Sequence, residues 1–226
     1  MTTVKIVSFY TDGRYYRESL RLSRSLNRHY YEIVYVDLPS WQQAVAHKPQ
    51  FILDVLERLE NDDGLLWADA DSELVRDPDW SELSGCDFAA VWFKRGPNWA
   101  EEILTGMLYF SKNERMLQFV RDWVKVTPNY AGRDCPEQEA LKEVLARPHS
   151  LSVKRLSPEW CWIKDDSESI YGQKEAIFFQ HQASRRFRFG ERENLPIIGK
   201  KEGFSEKVEA FQPPMVRDTG YIPYSQ

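Results

Sequence analysis

A chain of 226 residues with 42% hydrophobic and 14% aromatic content has the length of one ordinary domain and enough apolar side chains for a sizeable core. Its net charge of −5 and pI near 5.5 argue against a general nucleic-acid binder, which would be basic. Three widely spaced cysteines, Cys86, Cys135 and Cys161, form no CxxC pair, which argues against a zinc ribbon or a disulfide framework.

Val4 to Tyr10 reads as a buried first strand, and Thr11-Asp12-Gly13 as a turn. Tyr15 to Arg28 then carries Tyr16, Leu20, Ser23 and Leu26 at helical spacing. Glu32 to Leu38 is a second strand, closed by Pro39. Strand, helix, strand in that order predicts a parallel βαβ unit. Pro49 suits a first helical position, with Phe51, Ile52, Val55, Leu56 and Leu59 as the apolar stripe that follows. Gly64 to Glu73 follows as the next strand.

Further strands are expected at Asp87 to Phe93 and Leu104 to Phe110, and helices at Asn113 to Val126 and from Pro136 through Leu145. Short strand candidates follow at Val153 to Leu156, Trp160 to Trp162 and Ala176 to His181. Residues beyond about Gly190 are rich in Gly, Pro and charge and read as a tail or lid. No apolar run approaches the roughly 20 residues that span a bilayer, and the N-terminus has no long apolar signal segment. The expectation is a cytoplasmic protein of a reducing compartment, with no membrane span.

The stretch that carries chemistry is Gly64 to Glu73, an apolar run that ends in Asp69 and Asp71. On an extended chain, residues two apart share a face. The two carboxylates can therefore enter one space, where they repel unless a cation or a proton joins them. Oxygen pairs of this kind suit Mg2+ or Mn2+, which also bridge to substrate phosphates. Taken alone, the pair serves equally as a polar strand end with one Asp capping the turn.

In its order of motifs the chain resembles the GT-A glycosyltransferases. Leu65 to Asp71 followed by Leu74-Val75-Arg76-Asp77-Pro78 is similar to their DxD region. Lys48-Pro49-Gln50-Phe51-Ile52 resembles their K-P-x-x-I/L helix start, and Thr105 to Phe110 their T/N-G-x-x-x-F strand. Pro136 to Leu141 resembles the D-Q-x-x-L helix start, with Glu137 where Asp is usual, and Gln180-His181 the terminal histidine of the glycogenin-like branch. Together these cover roughly residues 4 to 185.

The resemblance implies an α/β fold, a Rossmann-like nucleotide-diphospho-sugar transferase with a mixed sheet flanked by helices. It implies a domain over 1–190 and a tail or lid over 191–226. It implies a metal-dependent hexosyltransferase that moves a sugar from a nucleoside-diphosphate donor, UDP by analogy, to an acceptor hydroxyl. Asp69, Asp71 and His181 would hold Mn2+ or Mg2+. Ser8, Phe9, Tyr10 and Thr11 would line the nucleobase and ribose, and Lys48 would contact phosphate or sugar. Glu137 and Gln138 would sit near the transferred sugar, with Asp134, Glu137 and Glu139 as candidate bases for the acceptor hydroxyl. Arg185 or Arg186 would stabilise the leaving nucleotide. Trp92, Trp99, Trp160 and Trp162 are candidate sugar-stacking walls.

The acceptor is a glycan, a small molecule, a protein or a modified nucleic-acid base. The acidic balance puts nucleic acid second, since only residues 185 to 192 hint at a basic groove. Short length suits a bacterial or phage-encoded enzyme. The alternatives are a phosphatase of the haloacid-dehalogenase kind, whose nucleophilic Asp belongs on a first strand, a sugar nucleotidyltransferase, and a non-catalytic sugar-nucleotide binder.

Overall fold

The computed structural model describes residues 3–11, 13–60, 63–94 and 99–184. In chain order the first half runs β1 (Val4–Tyr10), α1 (Gly13–Ser25), β2 (Tyr31–Tyr35), α2 (Trp41–Arg58), β3 (Gly64–Ala68), β4 (Ser72–Leu74) and β5 (Phe88–Phe93). The second half runs β6 (Glu102–Ser111), α3 (Glu114–Val126), α4 (Pro136–Ala146), β7 (Val153–Leu156), β8 (Trp162–Ile163), α5 (Lys164–Tyr171) and β9 (Phe178–Gln180).

Six strands form one sheet in the order β2-β1-β3-β6-β5-β7. β1 pairs in parallel with both β2 and β3, which confirms the predicted βαβ unit. β6 lies antiparallel between β3 and β5, so the sheet is mixed. A second sheet of three strands has the order β4-β9-β8.

The pleat sends successive side chains to opposite faces, and the two cores follow from that alternation. Val7, Phe9, Leu65 and Trp67 pack with Ile52 and Leu56 of α2 and with the apolar sides of α3 and α4. Their neighbours Ile6, Leu66 and Ala68 pack on the other face with Leu22 of α1, Leu26, and Phe178 of β9. A sheet covered on both faces explains why β3 reads as an unbroken apolar run, all five residues of which are buried.

Several expected elements move. In α1 the buried side chains are Glu18, Ser19 and Leu22, while Tyr16, expected on the inner stripe, is 47% exposed. The packing against β4 fixes the helix phase and places one buried carboxylate, Glu18, inward. Helix α2 starts at Trp41, capped by the Ser40 hydroxyl, which accepts from the Gln43 N–H, so Pro49 lies inside it and not at its start. There the proline removes the bond to the Val45 carbonyl, yet the helix continues.

Trp160 and Trp162 are buried, which makes them core and not sugar walls. Pro158 to Cys161 form a 3-10 turn, so the strand expected at Trp160 to Trp162 shrinks to Trp162–Ile163. The late strand is likewise shorter, at Phe178–Gln180. α5, short and charged, carries too weak an apolar stripe to be read from sequence.

Candidate functional site

β1 and β3 run parallel and end side by side, so Tyr10-Thr11 and Asp69 emerge at the same carboxyl edge of the sheet. Open α/β sheets bind ligands at this edge. A cavity of about 320 Å³ lies here, at the lower end of small-molecule sites. Phe9, Tyr10 and Thr11 form one wall with Tyr15 and Trp41. Asp69, Ala70 and Asp71 form the floor, and Thr105, Gly106, Glu137 and Gln138 the far side. Elements distant in sequence thus meet at one place.

Asp69 is held from two directions. Its Oδ1 accepts from the indole N–H of Trp67 at 2.9 Å and pairs with Lys48 Nζ at 2.9 Å. Its backbone N–H donates to the Gly106 carbonyl. Asp71 is buried, and its Oδ2 accepts the Ala183 N–H at 2.7 Å. Burial first, and then the Asp69 charge, push the Asp71 carboxyl up to about 6 against that hydrogen bond. Two carboxylates therefore converge on one cavity at an electrostatic cost.

Lys48 joins this pair to the far wall. It is buried at 3% exposure, donates to the Thr105 carbonyl at 3.1 Å and lies 3.6 Å from Glu137 Oε1. Its ammonium sits 5.3 Å from the Trp67 ring centre. Burial alone would lower its pKa, but Asp69 and Glu137 outweigh burial and raise it, so Lys48 stays charged. Glu137 is equally buried. Thr105 Oγ1 donates to its Oε1 at 3.2 Å, and Trp123 Nε1 donates to its carbonyl. Its Oε2 is buried without a hydrogen-bond partner among the described residues. Burial, the largest influence, raises the Glu137 pKa in spite of Lys48.

No family model matches this chain, and no curated protein sequence matches it. Solved structures do. A glycosyltransferase involved in glycosylation of the major capsid of PBCV-1 aligns over 83% of this chain and 98% of its own, at 15% identity and a TM-score of 0.63. The apo-form glycosyltransferase GlyE of Streptococcus pneumoniae TIGR4 aligns over 79% of this chain and 54% of its own, at 13% identity and a TM-score of 0.53. The chain has a GT-A-like glycosyltransferase fold. At such identities the likeness establishes the fold alone, and the site has to be judged on its own geometry.

Within this glycosyltransferase fold most of the expected positions do meet. Phe9, Tyr10, Thr11, Lys48, Asp69, Asp71, Glu137 and Gln138 all line the one cavity. Ser8 does not: it is fully buried in β1 and is not part of the cavity lining. Asp134 is exposed in the turn before α4 and is not part of the lining. Glu139 pairs with Lys142 at 2.9 Å. Arg185 and Arg186 lie outside the described residues.

His181 is tied elsewhere. Its Nε2 lies 2.7 Å from Glu73 Oε2, and its backbone N–H donates to the Asp71 carbonyl. Among the described residues, no three His, Cys, Asp or Glu side chains converge to hold a metal. The donor set that does converge is two carboxylates, each with one oxygen committed to the protein. Such a pair fits Mg2+ or Mn2+, which bind through one or two carboxylates and complete their shell with water and substrate phosphate.

Sequence reasoning missed Tyr15 and Trp41 as cavity walls. The Ser40-Trp41 helix start was the available signal for Trp41. It also missed the burial of Lys48, whose countercharges lie far along the chain.

Proposed function

We propose that this protein is a metal-dependent glycosyltransferase that takes a nucleoside-diphosphate sugar, with UDP the favoured nucleotide, and moves the sugar to an acceptor hydroxyl. The observation that carries the reading is the convergence of Asp69 and Asp71 on a cavity with an aromatic wall, at the carboxyl edge of a glycosyltransferase fold. Asp69 and Asp71 would hold Mn2+ or Mg2+, which on binding supplies charge compensation for the diphosphate leaving group.

The remaining roles belong to the chain itself. Lys48 pins Asp69 and keeps a positive charge beside the diphosphate. The Tyr10 ring, braced by Tyr16 and Tyr35 at centroid distances of 5.6 and 5.5 Å, offers its face to a nucleobase. Glu137 and Gln138 belong to the side of the cavity given to the transferred sugar, where Glu137, buried against Lys48 and Thr105, positions Lys48. The likeness to glycosyltransferases disfavours the phosphatase reading.

A thermal-shift panel of UDP, GDP, TDP and CMP sugars, with and without Mn2+, tests the proposal. It predicts a metal-dependent rise in melting temperature with the UDP sugar. No shift with any donor, in either condition, would overturn it.

A further inference from the structure

Helix α1 carries a feature that the donor cavity does not use. Arg14, Arg17, Arg21 and Arg24 recur at steps of three and four residues, and Arg28 continues the row in the turn beyond. Residues so spaced share one face, about 5–6 Å between successive Cβ atoms. Arg14, Arg17, Arg24 and Arg28 are exposed. Arg21 pairs with Glu18 at 2.6 Å. Arg17, Arg24 and Arg28 form no ion pair among the described residues. A row of five arginines with three of them, Arg17, Arg24 and Arg28, out of any ion pair among the described residues stands out on a chain with a net charge of −5.

The row borders a concave surface. Arg17, Arg21, Arg24 and Ser25 face Glu73 and Leu74 of β4 across a groove of about 510 Å³. Ser25 Oγ accepts the Leu74 N–H, which fixes α1 against the strand. Glu73, the acid in the groove, is engaged by His181 at 2.7 Å. The groove runs beside the strand that follows Asp71, and the row begins next to Tyr15 on the wall of the donor cavity.

We infer that the α1–β4 groove docks a single nucleic-acid strand, whose phosphates lie along the Arg14–Arg28 row. Regular spacing suits a polymer with one anion per repeat. Guanidinium forks match phosphate oxygens in pairs, which lysines would not. A bilayer fits less well. The groove is concave, the row includes no aliphatic or aromatic side chain to insert, and Leu22 and Leu26 of the same segment are spent in the core. The inference concerns binding at a surface separate from the donor cavity, so it stands or falls independently of sugar transfer.

Fluorescence anisotropy with a labelled mixed-sequence single strand of about 15 nucleotides tests it on the full chain. Three to five phosphate contacts predict that affinity falls about 20- to 130-fold between 50 and 200 mM salt. Arg17→Glu with Arg24→Glu should weaken binding at least tenfold, with melting temperature and donor-induced thermal shift retained. Lys125→Glu with Arg133→Glu makes the same change in net charge at exposed positions away from the groove and should leave binding within about twofold. Three results would each overturn the inference: no binding at 50 mM salt, equal loss in both double variants, or binding of the wild type to phosphatidylglycerol vesicles but not to the strand.

Discussion

Asp71 is held in place at an electrostatic cost. Its carboxylate is buried beside another carboxylate, and one backbone N–H does not offset both penalties. Replacing it with Asn removes the repulsion and keeps the shape. Asp71→Asn should therefore stabilise the metal-free protein by about 1 kcal/mol or more in urea unfolding, since like-charge relief and desolvation act in the same direction. The same change should abolish metal-dependent transfer, as should Asp69→Ala, with the fold intact by circular dichroism.

Lys48 behaves in the opposite way. It compensates one fully buried acid and one partly exposed one, so its loss strands Glu137. Lys48→Met should cost about 3 kcal/mol. Adding Glu137→Gln should recover part of that, with a coupling of about 1–3 kcal/mol in a double-mutant cycle.

Among the elements, the DxD strand is positioned by groups that carry no chemistry. Gly106 faces Asp69 across the β3–β6 pairing, and a Cβ there would lie 3.2 Å from the Gln180 side chain. Gln180 donates to Ser72 Oγ at 2.6 Å and so ties β9 to β4, just after Asp71. Gly106→Ala should therefore disturb the site more than the fold, raising the donor KM with a modest loss of melting temperature.

Asp87 serves the far end of the same sheet. It accepts from Asn113 Nδ2 at 2.7 Å, from the Ser152 N–H at 2.8 Å and from Arg115 at 3.1 Å. That joins the start of β5 to α3 and to the entry of β7. Burial alone would raise its pKa, but these donors outweigh burial and hold it below the usual carboxylate range. A depressed folded pKa gives stability that is present above the unfolded value, about 4, and is lost as pH falls through the lower folded value. Asp87→Asn should thus cost about 1.5–3 kcal/mol at pH 7, the range for hydrogen bonds to a charged group. It should cost much less near pH 2, as read from urea midpoints at the two values.

For the molecule as a whole, the central strands were legible because burial on both faces writes itself as an apolar run, as in β3. The Asp69/Asp71 pair was legible as two acids at a strand end, but strand period does not bring them together: β3 stops at Ala68, and a turn closed by the Ser72 N–H on the Asp69 carbonyl sets both acids on the cavity. What sequence could not show depends on contacts between distant segments. Lys48 looks like a solvated helix start until Asp69 and Glu137 close around it. Tyr16 looks like core until α1 settles against β4. His181 looks like a lone ligand in the sequence, and only the fold shows its Nε2 against Glu73. The arginine row is visible in the sequence, but only its exposure and the facing groove give it meaning.

The central claim is that Asp69 and Asp71 hold a divalent metal together with a nucleoside diphosphate. Electron paramagnetic resonance of free Mn2+, titrated with and without UDP, measures this directly. UDP should tighten Mn2+ binding by the wild type at least tenfold, and Asp71→Asn should erase that coupling. Mn2+ binding that ignores UDP, or coupling that survives in Asp71→Asn, would contradict the account.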